Sequence, residues 1–290
     1  MVTLRIEGNQ EGEFSEKVVA ILDSTLPPGS TSEPLDAAKS LNELFKSHSG
    51  SPDAFLWRFW DLFHDLARQL PYDGPENERM AVIVKELHAL DPVPVVLEDW
   101  GGDTVQVWRD LPLFRATIDE QWCADQNAPD GVDLKQRQLN LQTYAARVFS
   151  YNLVPLEQYA IWALTEALEG TMTPIRGAPD EENPDPSAVE DLPFKTAVAS
   201  AWMIHGGTVM YGRDEEVHGT LGGPLWRLEK KVAVKLRRKY KGTQGLCADR
   251  WQLWKERFGV IRDSGKVDEI TQKRAAEAYD VMEKIERQRS

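Results

Sequence analysis

Residues 51–70 read SPDAFLWRFWDLFHDLARQL, and this stretch decides the fold class. Ser51 suits a helix cap, Pro52 the first helical position, and Asp53 the positive end of the helix dipole. Leu56, Phe59, Trp60, Phe63, Ala67 and Leu70 then recur at three- and four-residue steps and form one stripe. Trp57, Leu62 and Leu66 widen the stripe beyond a single face, which is the pattern of a helix buried among others. Pro71 and Gly74 end it.

Helical periodicity continues outward in both directions. On the N-terminal side, FSEKVVAIL and SEPLDAAKSLNELF read as two weaker helices separated by a proline-containing connection. On the C-terminal side come ENERMAVIVKELHAL, LPLFRATIDEQWCAD, LKQRQLNLQTYAARVFSY and LEQYAIWALTEALEG, the last stopped at Gly170. Residues 194–211 are nearly all apolar. PLWRLEKKVAVKLRRKYK, ADRWQLWKERFGVIRDS and KVDEITQKRAAEAYDVMEKIERQR complete the set. The pattern predicts an all-α protein of about ten helices packed in one globular multi-helix domain. Around 93–108, β-branched residues flank Gly101-Gly102, so a short hairpin is one reading; the prolines also suit an irregular connection. MTPIRGAPDEENPDPSAVED is acidic and proline-rich, and predicts a loop at 171–192. The expected organisation is an N-terminal helical arm at 1–49, a helical core at 50–263 and a C-terminal helix at 264–290.

The totals exclude several classes. The chain has 290 residues, 41% hydrophobic and 28% charged, as in ordinary globular proteins. No apolar run reaches the roughly 18–20 residues that span a bilayer. The first residues are too polar and acidic for a signal peptide. Cys123 and Cys247 are too few for a disulfide framework, so two reduced thiols in a cytoplasmic protein are expected. The net charge is −13, but it is segregated: residues 226–290 hold 18 Lys and Arg against 10 Asp and Glu, and the rest holds 16 against 37. An acidic body of that kind argues against nucleic acid as its partner.

The residues FLWRFWDLFHDLARQLPYDGPENERMAVIVKEL, VWRDLPLFRATIDEQW, NLQTYAARVF, YAIWALTEAL, AVASAWMIHGGTVMYG, GGPLW and RWQLWKERF resemble, in that order, a fungal family of proteins with a domain of unknown function. The resemblance covers roughly 50–262, and RWQLWKERF is its most diagnostic piece. It implies an all-helical, cytoplasmic protein and carries over no catalytic, binding or cofactor residue. Two stretches depart from the family pattern. The connection at 227–244 is longer and more basic, and the tail after Asp263 lies outside it.

Candidate chemistry concentrates in AWMIHGGTVMYGRDEEVHGTLGG, residues 201–223. His205 sits among apolar residues and reads first as a neutral core histidine, second as a ligand or proton-transfer group. Gly206-Gly207 costs about 1 kcal/mol each inside a helix, which close helix packing would offset. The HGG triplet echoes an esterase oxyanion hole, but no G-x-S-x-G elbow accompanies it. Tyr211, Arg213 and His218 follow the helix and suit either a pocket mouth or a surface loop. Glu215, Glu216 and His218 are of metal-binding type without metal-site spacing, so no metal is expected.

Gly222 and Gly223 run into Pro224, read as the first residue of a helix, with Arg227 one turn along. This predicts either an anion site built on backbone N–H groups or a plain turn and cap. The 227–241 stretch, with Lys230 and Lys231, carries eight Lys and Arg against one Glu behind an apolar stripe, and suits a surface helix or one that meets an acidic partner. His64 and His88 read as rim residues of their helices. Trp60, Trp162, Trp202 and Trp254 fall on apolar stripes and read as core.

Two functions follow. The first is a helical binding protein with a protein or small-molecule partner and no cofactor, using the basic 227–241 stretch or a helix-lined pocket. The alternative is a cofactor-independent enzyme for a small apolar or aromatic substrate, with His205, Tyr211 and His218 as acid–base groups.

Overall fold

The computed structural model describes residues 3–7, 10–123, 133–177, 179–226 and 244–289. Among them are ten α-helices and two short two-stranded sheets, a mostly helical fold with a small hairpin. The chain gathers into two compact units, Met1–Val154 and Pro155–Ser290.

The first unit holds α1 (Glu13–Thr25), α2 (Pro34–Lys46), α3 (Pro52–Ala67), α4 (Pro75–Ala89), strands β1 (Val93–Leu97) and β2 (Asp103–Val107), α5 (Phe114–Cys123) and α6 (Leu134–Ser150). Helix α3 starts as its sequence dictates: Pro52 opens it and the Ser51 hydroxyl accepts from the Ala54 N–H at 3.4 Å. Its Leu56, Phe59, Trp60, Leu62, Phe63, Leu66 and Ala67 are all fully buried against α5, α6 and the hairpin. Each large apolar side chain so buried contributes about 1.5–3 kcal/mol.

Polar joints fix the neighbours. Asn140 on α6 donates to the Arg68 carbonyl at 2.9 Å, and Asn77 on α4 donates to the Leu70 and Asn140 carbonyls. Arg137 holds Glu7 with both guanidinium nitrogens, at 2.7 and 2.5 Å, which ties the N-terminal segment to α6.

Strands β1 and β2 pair antiparallel, Val93 with Val107 through Leu97 with Asp103. A 3-10 turn at Glu98–Trp100 leads to Gly101 and Gly102, both left-handed at φ 97° and 73°. The Gly102 N–H closes the turn on the Leu97 carbonyl at 2.9 Å. The hairpin is therefore formed, since β-branched alternation flanks two residues that accept positive φ at little steric cost. Beyond it, Trp108 also sits at φ 63°, a strained value for a bulky residue. Its indole N–H bonds Asn42 at 2.9 Å, and its rings pack on Phe45, Phe59 and Trp60, which holds that conformation.

The second unit holds α7 (Glu157–Leu168), strands β3 (Thr171–Thr173) and β4 (Glu181–Asn183), α8 (Leu192–Met210), α9 (Ala248–Arg262) and α10 (Glu269–Arg289). Helix α8 packs on both α7 and α10, which accounts for a sequence apolar all round. Gly206 and Gly207 lie in this helix, which runs unbroken through them. A methyl added at Gly207 would sit 3.0 Å from Ile285 of α10 and 3.1 Å from Met203, so the glycine permits close helix contact. The acidic segment expected as a loop carries the β3–β4 ladder. Its Asn183 amide donates to Thr173 at 3.0 Å, and Arg257 of α9 grips the Pro184 carbonyl at 2.5 Å. Among the described residues, no helix is long and apolar enough to cross a membrane.

Candidate functional site

Among the described residues of the second unit, a dense polar constellation is built on Glu169, the residue that caps α7. Glycine at 170, left-handed at φ 73°, turns the chain away behind it. Helix α9 brings Arg250 and Trp254 to the same carboxylate. Arg250 Nε donates to Glu169 Oε1 at 2.7 Å and Trp254 Nε1 to the same oxygen at 2.8 Å. The second oxygen, Oε2, takes the Gly223 N–H at 2.6 Å. Arg250 directs its other nitrogens to the Gly245 carbonyl, the Thr165 hydroxyl and the Leu221 carbonyl, at 2.8, 2.9 and 3.1 Å. Its guanidinium lies 5.1 Å from the Trp254 ring centroid and 5.9 Å from that of Trp226. Both charged side chains are fully buried. A buried ion pair of this kind is costly to desolvate, and these added hydrogen bonds to both partners offset that cost.

The glycine stretch packs against this node. Pro224 does not open a helix: Pro224 and Leu225 form a turn, closed by the Trp226 N–H on the Gly223 carbonyl at 2.9 Å. The Gly223 N–H is taken by the chain's own carboxylate. Methyl groups at Gly222 and Gly223 would lie 2.1 Å from the Trp226 carbonyl oxygen and 2.6 Å from Glu169 Cβ, so close backbone approach explains both glycines.

The rest of RWQLWKERF extends the clamp. Trp251 and Lys255 both bond Glu286 of α10, at 2.9 and 2.7 Å, and Arg257 donates to the Leu168 carbonyl at 3.1 Å. No local signal singled out Glu169 or Arg250 as partners. The spacing of Arg and Trp in that motif is the trace they leave.

The other sequence candidates lie on α8 and in the segment that follows it. His205 is half-buried on α8. Tyr211 ends that helix, with its ring 5.0 Å from Trp251, and its carbonyl accepts from Arg289 at 3.2 Å. Arg213 pairs with Glu157 at 3.1 Å and with Glu215. His218 is exposed. Arg227, Lys230, Lys231 and the rest of the 227–241 stretch lie outside the described residues. Among the described residues no cluster of His, Cys, Asp and Glu has the makings of a metal site.

His64 corrects the reading as a rim residue. It is fully buried, with the Trp60 ring stacked at 5.8 Å and Phe114 edge-on at 4.6 Å. Its Nε2–H donates to the Phe114 carbonyl at 3.1 Å, while Nδ1 has no partner. Burial pushes its pKa down to about 3, so the imidazole is neutral. From Leu62 to Ala67 every residue of α3 is buried, so position 64 faces packed neighbours rather than a rim.

Two open concavities stand out. One, in the second unit, measures about 860 Å³ and lies between Pro184–Pro186 and the end of α9, edged by Arg262, Lys266 and Tyr279. Two of its cations already have carboxylates: Lys266 bonds Asp185 at 2.5 Å, and Arg262 bonds Asp263 at 2.7 Å while lying over Tyr279 at 4.5 Å. Lys266 and then Ser187 hold the Asp185 carboxyl down to about 2. The other, in the first unit, measures about 610 Å³ and is lined by Leu35 and Val82 with Glu33, Glu78 and Glu86. Neither is lined by His205, Tyr211 or His218.

Residues 60–258 match a family model described as "Protein of unknown function (DUF3632)". Among curated proteins and among solved structures, nothing matches the chain.

Proposed function

The chain belongs to this family of proteins of unknown function, and from that premise we propose that it is a non-enzymatic helical interaction protein of the cytoplasm. The basic 227–241 stretch is the element that meets a partner, and the partner is a protein with an anionic surface. What carries the reading is the charge pattern: eight Lys and Arg against one Glu in fifteen residues of a chain whose net charge is −13. The basic residues of α9 support it by contrast. Arg250, Lys255, Arg257 and Arg262 are committed to carboxylates and carbonyls. The strongest buried constellation supports it too, since Glu169 is saturated by internal donors and holds no solvent-facing oxygen for acid–base work.

The test is affinity capture with the full chain and with a version whose Lys and Arg at 227–241 are changed to Ser. The expected result is that partners held by the parent at low salt disappear with the variant. Recovery of the same set by both chains would refute the assignment of that stretch.

A further inference from the structure

Trp57 and Trp100 stack at the protein surface, with ring centroids 5.4 Å apart and planes 20° from parallel. Trp57 is half-buried on α3, and Trp100, in the hairpin turn, keeps 46% of its surface exposed. Trp60, Trp108, Trp202 and Trp254 are by contrast sealed inside. The pair is also rigid. Helix α3 carries one ring, and the 3-10 turn closed by Gly102 on Leu97 carries the other. Around it the charge has one sign. Glu98 and Asp99 directly precede Trp100, and Asp103 pairs across the ladder with Leu97, the neighbour of Glu98. All three carboxylates are exposed, and no Lys or Arg occurs from Val93 to Val107. Arg58, next to Trp57 in the chain, lies instead over the Phe14 ring at 4.9 Å.

We propose that the Trp57–Trp100 pair with Glu98, Asp99 and Asp103 is a docking platform for an arginine-bearing basic segment of a partner protein. A guanidinium is planar, weakly hydrated and attracted to an indole face, and neighbouring carboxylates add to that attraction. Fixed aromatic rings offer contact area with little conformational entropy to lose on binding. Complementary charge then selects the partner and speeds its arrival. The platform lies in the first unit and does not depend on the basic 227–241 stretch.

The experiment uses the full chain and a ten-residue peptide alternating Gly and Arg, followed by calorimetry and tryptophan fluorescence at low salt. A peptide with Glu in place of Arg and an uncharged maltohexaose serve as comparators. The Arg peptide binds saturably, with one peptide per chain. Trp100→Ala weakens it at least tenfold. Glu98→Gln with Asp99→Asn, which leaves the indole pair in place, weakens it severalfold. Glu78→Gln with Glu86→Gln, elsewhere on the acidic surface, changes it less than twofold. If circular dichroism shows a disturbed fold in Trp100→Ala, the Glu98→Gln, Asp99→Asn chain becomes the deciding variant. Parent-like binding by that chain overturns the proposal, as does the absence of saturable binding or quenching by maltohexaose instead of the Arg peptide. The Lys/Arg-to-Ser version of 227–241 retains this binding, which separates failure of the platform from failure of the basic stretch.

Discussion

His64 shows how much a single buried ring can report. In the unfolded chain it takes a proton near pH 6.5; in the folded chain burial holds the imidazole neutral until about pH 3. As the pH falls through 6.5 the unfolded state gains a proton that the native state refuses, so stability declines. The slope is about 1.4 kcal/mol per pH unit, and it flattens as the pH nears 3. Urea unfolding of the parent and of His64→Phe across pH 7 to 5 tests this: the difference in stability between the two must change along that slope, and a constant difference would refute it. The Glu169–Arg250 pair makes a second prediction. Arg250→Met leaves a buried carboxylate short of a cation, and Glu169→Gln leaves a buried guanidinium; each costs about 3–5 kcal/mol. The double change costs less than the two together, by more than about 1 kcal/mol, because no lone charge remains. Denaturant midpoints of the four chains measure it. Neither residue stands out in the sequence. Periodicity ranks residues by burial, but it does not say which acceptor, 54 positions from Gly223, will close a turn.

At the scale of elements the sequence is far more informative. The stripe on α3, the Ser51 cap and the Gly170 stop are local signals, and local signals place helices well. The hairpin is legible as an alternative because Gly101 and Gly102 accept the φ values its turn needs. The helix expected to start at Pro224 is misplaced for the opposite reason. A Gly-Gly-Pro run suits a helix start and a tight turn equally, and the Glu169 contact chooses the turn. Gly207 offers a sharp test of why α8 carries two glycines. Gly207→Ala gains about 1 kcal/mol of helix propensity. It meets Ile285 Cδ1 and Met203 Sδ, the ends of flexible side chains, at 3.0 and 3.1 Å, and touches Trp251 Cη2 at an ordinary 3.5 Å. The two effects nearly cancel, so thermal melting shifts little. Gly207→Leu cannot be absorbed, and lowers stability by about 1–3 kcal/mol. If Leu costs no more than Ala, close packing is not what the glycine is for.

Across the whole molecule, two compact units imply two cooperative units. Hydrogen exchange of a chain with Glu169→Ala is expected to rise in α7–α10 and to stay near the parent's in α1–α6; a uniform rise would show one cooperative block. The unit boundary at 154/155 leaves no mark in composition, because helices flank it on both sides and the proline-rich, acidic segment that attracts notice lies inside the second unit. The saturated carboxylate of Glu169 has one more consequence. Three donors of fixed position converge on it, an arginine, an indole and a backbone amide. Shortening that side chain to alanine would leave a mould in the shape of a small carboxylic acid. Formate supplied from the buffer should refill it and restore the melting temperature, where equal chloride does not, so an internal strut of the fold becomes replaceable from outside.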